Sequence, residues 1–223
     1  MLKLHNVNLS YVKDYYALCD VNAEFSENVV YNVIGENSSG KSTLLRCVAK
    51  LEDEYTGEIT YNDVDIKKYD FSKELGVGYM PEEAVFLGDK TTVLENIKYA
   101  IKNRQIVPFE EEDYYIAQLL EAFKLSKVKD KKIKKLSYFE KQKLALARLS
   151  MRKLNILLID NIFASLGSDE IAEIFTYLKE YFINQNMIIL LASHKPLKEY
   201  FEETIEVHMN AGIIQKEKQE DDK

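Results

Sequence analysis

Residues 35–43, GENSSGKST, fit the pattern G-x-x-x-x-G-K-[ST], with an apolar run at Val29 to Ile34 before them and the helix-compatible Leu44, Leu45 and Arg46 after. The spacing has a chemical reason. Glycines at both ends, Gly35 and Gly40, let the backbone through Glu36, Asn37, Ser38 and Ser39 curl so that successive N–H groups face inward. That nest lies at the start of a helix, where the dipole also favours negative charge. Lys41 then reaches the outer phosphates, the Ser42 hydroxyl can hold a magnesium ion, and Thr43 completes the motif. Together these residues read as a cradle for a nucleoside triphosphate.

Such a cradle calls for a carboxylate on a neighbouring strand to hold the metal through its water shell. The apolar run NILLID, Asn155 to Asp160, ends in one. A strand-terminal aspartate can also simply cap a turn, but beside a phosphate loop Asp160 takes the metal role. His194 follows another apolar run, Met187 to Ala192. In a parallel sheet it emerges at the same carboxyl edge, where ligands bind.

The elements that must position these groups follow from periodicity. The first 80 residues are rich in strands, at Leu2 to Tyr11, Val29 to Ile34 and Leu75 to Met80, interrupted by one helix from Lys41 to Lys50. From Val93 to Leu154 the period changes to 3.6, with helices expected over Val93 to Arg104, Glu111 to Leu125 and Phe139 to Leu154. Strands return at Ile156 to Asp160 and Met187 to Ala192, nearly all apolar as strands covered on both faces must be. Between them Asp169 to Asn184 is amphipathic, with Ile171, Ile174, Phe175 and Leu178 on one side, so strand, helix, strand implies a parallel crossover. The expected fold is α/β, with residues 1–84 and 155–214 forming the core and a β subdomain, 85–154 an inserted helical subdomain, and 215–223 a solvated tail.

With 223 residues, 46% of them hydrophobic and 30% charged, the chain suits one soluble domain. No apolar run approaches the roughly 18 residues of a membrane span, and the N-terminus lacks the uninterrupted apolar block of a secretory signal. A net charge of −7 argues against a general nucleic-acid binder. Cys19 and Cys47 are too few for a disulfide framework or a zinc site.

In their order the segments resemble the ATP-binding subunit of ABC transporters, from Tyr11 to about Ile213. GENSSGKST matches that family's Walker A segment and NILLIDN its Walker B. GYMPEE, Gly78 to Glu83, resembles the loop that senses the metal and touches the membrane partner, and LSYFEKQKLALAR, Leu136 to Arg148, the signature segment. ASH, Ala192 to His194, matches the switch histidine. The resemblance implies a P-loop NTPase, RecA-like core with an antiparallel β subdomain and ATP and Mg2+ as ligands. It implies adenine stacked on Tyr11, Ser42, Glu82 and Asp160 around the metal, and Ser137 and Glu140 facing a nucleotide held by a second subunit. It further implies an integral membrane permease as partner and a place in the cytoplasm, at the inner face of the membrane.

Departures from the pattern matter as much. Where the family has a water-polarising glutamate stands Asn161, an amide that cannot accept a proton at neutral pH. Loss of a positioned base costs about 100- to 10,000-fold in rate. The metal-sensing glutamine is Glu82, which joins Asn161 and His194 as a catalytic candidate; its taking over as base is the disfavoured alternative, because nearness to a metal does not by itself align a carboxylate with an attacking water. Two glycines of the signature are Tyr138 and Phe139, whose rings would obstruct a partner's phosphate, and its glutamine is Glu140. Like charges about 4 Å apart at a dielectric near 20 repel by about 4 kcal/mol, unless Glu140 merely decorates a first helical turn. The loop after Walker B ends in Gly167 where the family has an acid. The expectation is a subunit that binds ATP, hydrolyses it weakly or only with a partner, and pairs preferentially with a different, competent subunit. A fully active homodimer and a soluble nucleotide-responsive regulator are the alternatives.

Elsewhere, KVKDKKIKK, Lys127 to Lys135, reads as a solvated connector because no aromatics interleave its six lysines. Tyr114–Tyr115 and Tyr181–Phe182 read as core packing, and Phe86 and Leu87 as exposed anchors near the permease groove.

Overall fold

Ile156, Leu157, Leu158 and Ile159 are all fully buried. Successive side chains of a strand point to opposite faces, so this run needs a hydrophobic layer on each side of its sheet. Ile156 and Leu158 join one core cluster while Leu157 and Ile159 join another. Ile188, Leu190 and Ala192 divide from Ile189 and Leu191 in the same way.

The computed structural model describes residues 1–13, 15–71, 73–102, 111–183 and 185–215. In chain order they form β1 (Leu2–Val12), β2 (Tyr15–Phe25), β3 (Val29–Ile34), α1 (Lys41–Val48), β4 (Thr56–Tyr61), β5 (Val64–Asp65) and β6 (Val77–Met80). Then come α2 (Val93–Lys102), α3 (Glu112–Ala122), α4 (Tyr138–Ser150), β7 (Ile156–Asp160), α5 (Ser168–Tyr181), β8 (Ile188–Ser193), β9 (Ile205–Asn210) and β10 (Ile213–Ile214). The larger sheet has the order β10-β9-β3-β8-β7-β6, parallel from β9 to β6 with β10 antiparallel at its edge. The second sheet is antiparallel, in the order β2-β1-β4-β5.

One face of the large sheet carries α1 and the antiparallel sheet, packed through Leu44, Leu45, Leu18 and Ile59. The other face carries the helices, with Ile97 of α2, Leu120 of α3, Leu144 of α4 and Ile171, Ile174, Phe175 and Leu178 of α5 in one cluster. The amphipathic face read for α5 is therefore the buried one. No helix among the described residues is long and apolar enough to cross a membrane.

Because β3, β6, β7 and β8 run parallel and in register, their last residues, Ile34, Met80, Asp160 and Ser193, finish at one edge. Asn32, fully buried on β3, ties that edge together: its Nδ2 donates to the Lys195 carbonyl (3.1 Å) and its Oδ1 accepts from the Ser193 hydroxyl (2.8 Å).

Several expectations need correction. Periodicity misses β2, β4 and β9, whose alternation is broken by exposed tyrosines, a glycine and charges, and the two-residue strands β5 and β10, which are too short to show any. The helix expected to Lys50 ends at Val48, where Lys50 turns to positive φ (56°), and α4 begins at Tyr138 and stops at Ser150, short of Leu154. Tyr114 is exposed (69%) rather than in the core, because it lies on the solvent side of α3. Phe86 is half-buried against the helical cluster, with the Arg148 guanidinium over its ring at 5.6 Å, while Leu87 is exposed as expected. The end of the first expected middle helix, at 103–104, and the tail beyond Gln215 lie outside the described residues. Truncating Leu158 to Ala should cost about 2–5 kcal/mol, read as a lowered urea midpoint with unchanged slope.

Candidate functional site

The loop after β3 is held by contacts that leave no room for side chains at its two glycines. A Cβ on Gly35 would stand 2.2 Å from the Met209 carbonyl oxygen and 2.5 Å from Ser39 Oγ. Gly40 has φ +103°, and a Cβ there would meet the Ala17 carbonyl oxygen at 2.5 Å. Gly40 caps α1, so the loop runs directly into a helix N-terminus. Lys41, the first helical residue, is 5% exposed, and its Nζ donates to the carbonyls of Gly35 (2.8 Å) and Glu36 (2.7 Å) and to Ser39 Oγ (3.2 Å). Burial lowers its ammonium below the usual lysine range, with Asp160 and Glu36 pulling it back up. His194 Nδ1 lies 3.2 Å from the Gly35 carbonyl, so the histidine after β8 touches the start of the loop.

Asp160, at the end of β7 and nearly buried, accepts at Oδ1 from the Ser42 hydroxyl (2.8 Å) and at Oδ2 from the Tyr79 hydroxyl (2.9 Å). Burial, then the Asp160 carboxylate, raises the Tyr79 phenol, so it remains a donor at neutral pH. Asn161 follows in the left-handed region (φ 54°, ψ 27°), which asparagine tolerates better than most residues. Its backbone N–H donates to the Ala192 carbonyl (3.0 Å), and its side-chain Nδ2 donates to Glu82 Oε2 (3.0 Å). The other amide atom, Asn161 Oδ1, is buried with no hydrogen-bond partner.

These groups share one cleft of about 390 Å3, lined by residues 37–43, Glu82, Asn161 and His194 and, on its outer side, by Tyr11, Tyr15 and Arg46. The β1–β2 hairpin presents both tyrosines, paired Val12 to Tyr15 beside its turn, and Arg46 Nη2 donates to the Tyr11 hydroxyl at 3.4 Å. Sequence reasoning singled out Tyr11 and missed Tyr15 and Arg46. The exposed Tyr15–Tyr16 pair next to the turn was the signal available.

Ser137 and Glu140 do not line this cleft. They form a capping box at the start of α4: the Ser137 hydroxyl accepts from Glu140 N–H (3.1 Å), and Glu140 Oε2 accepts from Ser137 N–H (2.8 Å). Lys131 meets the same carboxylate at 3.2 Å, so the Glu140 charge is countered within its own chain. The rings expected to stand in a partner's way are turned inward. Tyr138 reaches the carbonyls of Glu82 (3.1 Å) and Ile162 (3.3 Å), and Phe139 lies under the Lys143 ammonium at 4.7 Å. Burial, with Glu82 next, pushes the Tyr138 phenol up to about 12, so it too is a standing donor. Farther along α4, Gln142 Nε2 donates to the Glu82 carbonyl (3.2 Å) and Arg148 to the Val85 carbonyl (2.6 Å). Gly167 begins α5 at ordinary φ, its N–H held by Glu170 Oε2 at 3.1 Å.

The available donors suit magnesium and a triphosphate. Ser42 Oγ, Asp160 and Glu82 offer only oxygen, as a hard cation requires, and no group of three or more His, Cys, Asp or Glu side chains placed to hold a metal occurs among the described residues. That is the arrangement of a cation held by one or two protein oxygens together with substrate phosphates.

The sequence model of the ABC transporter family matches residues 18–164. A cytochrome c biogenesis ATP-binding export protein of Saccharophagus degradans is 28% identical over 184 residues, 80% of this chain and 80% of its own length. A probable branched-chain amino acid transport ATP-binding protein of Archaeoglobus fulgidus is 31% identical over 218 residues, 96% of this chain and 88% of its own. The chain spans only 36%, 61% and 66% of three longer curated relatives. Among solved structures, a dimeric ATP-binding cassette in a post-hydrolysis state with ADP and Pi shares the fold, with a TM-score of 0.78 at 22% identity over 97% of each chain.

If Ser137 caps its own helix, Ser137→Ala should destabilise the protein by about 1 kcal/mol and Ser137→Gly by only a few tenths, compared by chemical denaturation.

Proposed function

The chain belongs to the ABC transporter family, and from that membership we propose that it is the ATP-binding subunit of such a transporter, coupling nucleotide binding to a separate membrane permease. The observation that carries this reading is the convergence of the loop at 35–43, Glu82, Asn161 and His194 at one sheet edge. Backbone N–H groups of the loop and the Lys41 ammonium would bind the phosphates, with the adenine ring against Tyr11. Magnesium would be held by Ser42 and Asp160, with Glu82 within reach, and supplies charge neutralisation on the phosphates. His194, already against the Gly35 carbonyl, would report on the outermost phosphate.

Asn161 offers the attacking water a hydrogen-bond acceptor but not a base. Binding is thereby separated from turnover, and hydrolysis at this site is weak or depends on the partner. The second ATP-binding subunit is preferentially a different chain, because a competent partner would supply the intact signature and the base that this one lacks. The permease would dock at a separate cleft of about 390 Å3, lined by Tyr79, Met80, Ala84, Val85, Arg148 and Arg152, where Val85 is 76% exposed. Burial lowers the Arg152 guanidinium at this groove below its usual range. That docking would hold the subunit at the cytoplasmic face of the membrane.

Lys41→Ala should weaken ATP binding by at least about tenfold, a loss of 1.4 kcal/mol or more, in titration with a fluorescent nucleotide; unchanged affinity refutes the site. Tagged full-length chain drawn from native membranes should bring with it a polytopic membrane protein and a second ATP-binding subunit. Recovery of soluble partners alone would refute the transport role, and recovery of the chain only with copies of itself would refute the preference for a different subunit.

A further inference from the structure

We infer that Glu82 is the proton acceptor for such hydrolysis as this site performs, the carboxylate having exchanged places with the amide at Asn161. The inference rests on the ATP-binding reading above and adds the residue that turns nucleotide over.

The cleft contains few candidates. Asp160 accepts from both Ser42 and Tyr79 and is nearly buried, so its oxygens are committed at 2.8 and 2.9 Å. Among the described residues, Glu82 is the only carboxylate lining the cleft itself. It is exposed to the cleft, yet one oxygen, Oε2, is fixed by Asn161 Nδ2 at 3.0 Å. That bond leaves the second oxygen of Glu82 to take a proton. It also leaves Asn161 Oδ1 as a buried acceptor with nothing to accept from. A water donating one hydrogen to Asn161 Oδ1 and the other to Glu82 would satisfy both, and a buried polar atom of this kind calls for such a partner.

What the sequence lacked was alignment, and α4 supplies it. Tyr138 and Gln142 both donate to the Glu82 backbone carbonyl, at 3.1 and 3.2 Å. Tyr138 also faces the carbonyl of Ile162, the residue after Asn161, at 3.3 Å. One side chain thus braces both halves of the amide–carboxylate pair, and Tyr138 is a positioning residue. In the step itself, water oxygen bonds to the γ-phosphorus and its proton passes to Glu82. The bond from the γ-phosphorus to the bridging oxygen breaks with its electron pair going to ADP. The Glu82 proton then returns to solvent.

The test uses the full-length chain with saturating ATP and Mg2+, taking Lys41→Ala as the background for contaminating hydrolysis. Glu82→Gln should keep nucleotide affinity within about threefold while slowing single-turnover phosphate release by about 100-fold or to background. Asn161→Glu alone sets two carboxylates about 3 Å apart and should gain little. The exchange Glu82→Gln/Asn161→Glu restores an amide–carboxylate pair and should recover or exceed the wild-type rate. A second readout is independent of turnover: the Asn161 side-chain amide resonances should shift in Glu82→Gln, which replaces the charged acceptor of their hydrogen bond. Equal rates for wild type and Glu82→Gln, or no release above background by wild type with nucleotide bound, overturns the inference and leaves the binding role intact. Failure of wild type to bind ATP overturns both.

Discussion

Everything at the carboxyl edge depends on how closely backbone can approach backbone around Gly35. The Met209 carbonyl, Ser39 and the loop itself converge on its Cα with no space for a methyl group, and that convergence turns the chain from β3 back toward α1. The turn places Lys41 under the loop, and Lys41 in turn pins the carbonyls of Gly35 and Glu36. Ser42 follows one residue later and thereby meets Asp160 from a strand 118 residues away in sequence. A phosphate cradle and a metal position are thus one construction, fixed by the absence of a Cβ.

The sheet supplies the second half of that construction. Parallel strands buried on both faces cannot slip by one residue, since a slip would trade one core for the other. Asp160 is therefore held level with Ala192 and Ile34 with Ser193, and the chain beyond each strand enters the same space. Asn161, His194 and Gly35 owe their proximity to this register rather than to any attraction among themselves.

The loop motif, Asp160 and the apolar strands were legible in the sequence because local spacing and composition dictate them. The paired β1–β2 hairpin was not, since exposed Tyr11, Val12, Tyr15 and Tyr16 blur its alternation; with it went Tyr15 as a wall of the cleft. The roles of Tyr138 and Glu140 were also out of reach. Reading them as obstacles to a partner assumed side chains directed outward, whereas the capping box and the carbonyls of Glu82 and Ile162 draw them inward. Such choices depend on what lies opposite in space, and Glu82 stands 56 residues from Tyr138. Likewise the Asn161–Glu82 bond joins two departures that look independent along the chain.

The Tyr138 phenol has a single hydrogen and two carbonyl oxygens within its reach. If α4 pivots away from one of them, rotation about the C–O bond hands the hydrogen to the other, so neither endpoint strands a buried donor. A pair of bare glycines offers no such exchange. The start of α4 is thus pinned through one phenol with two seats, a tether that does not depend on either carbonyl alone.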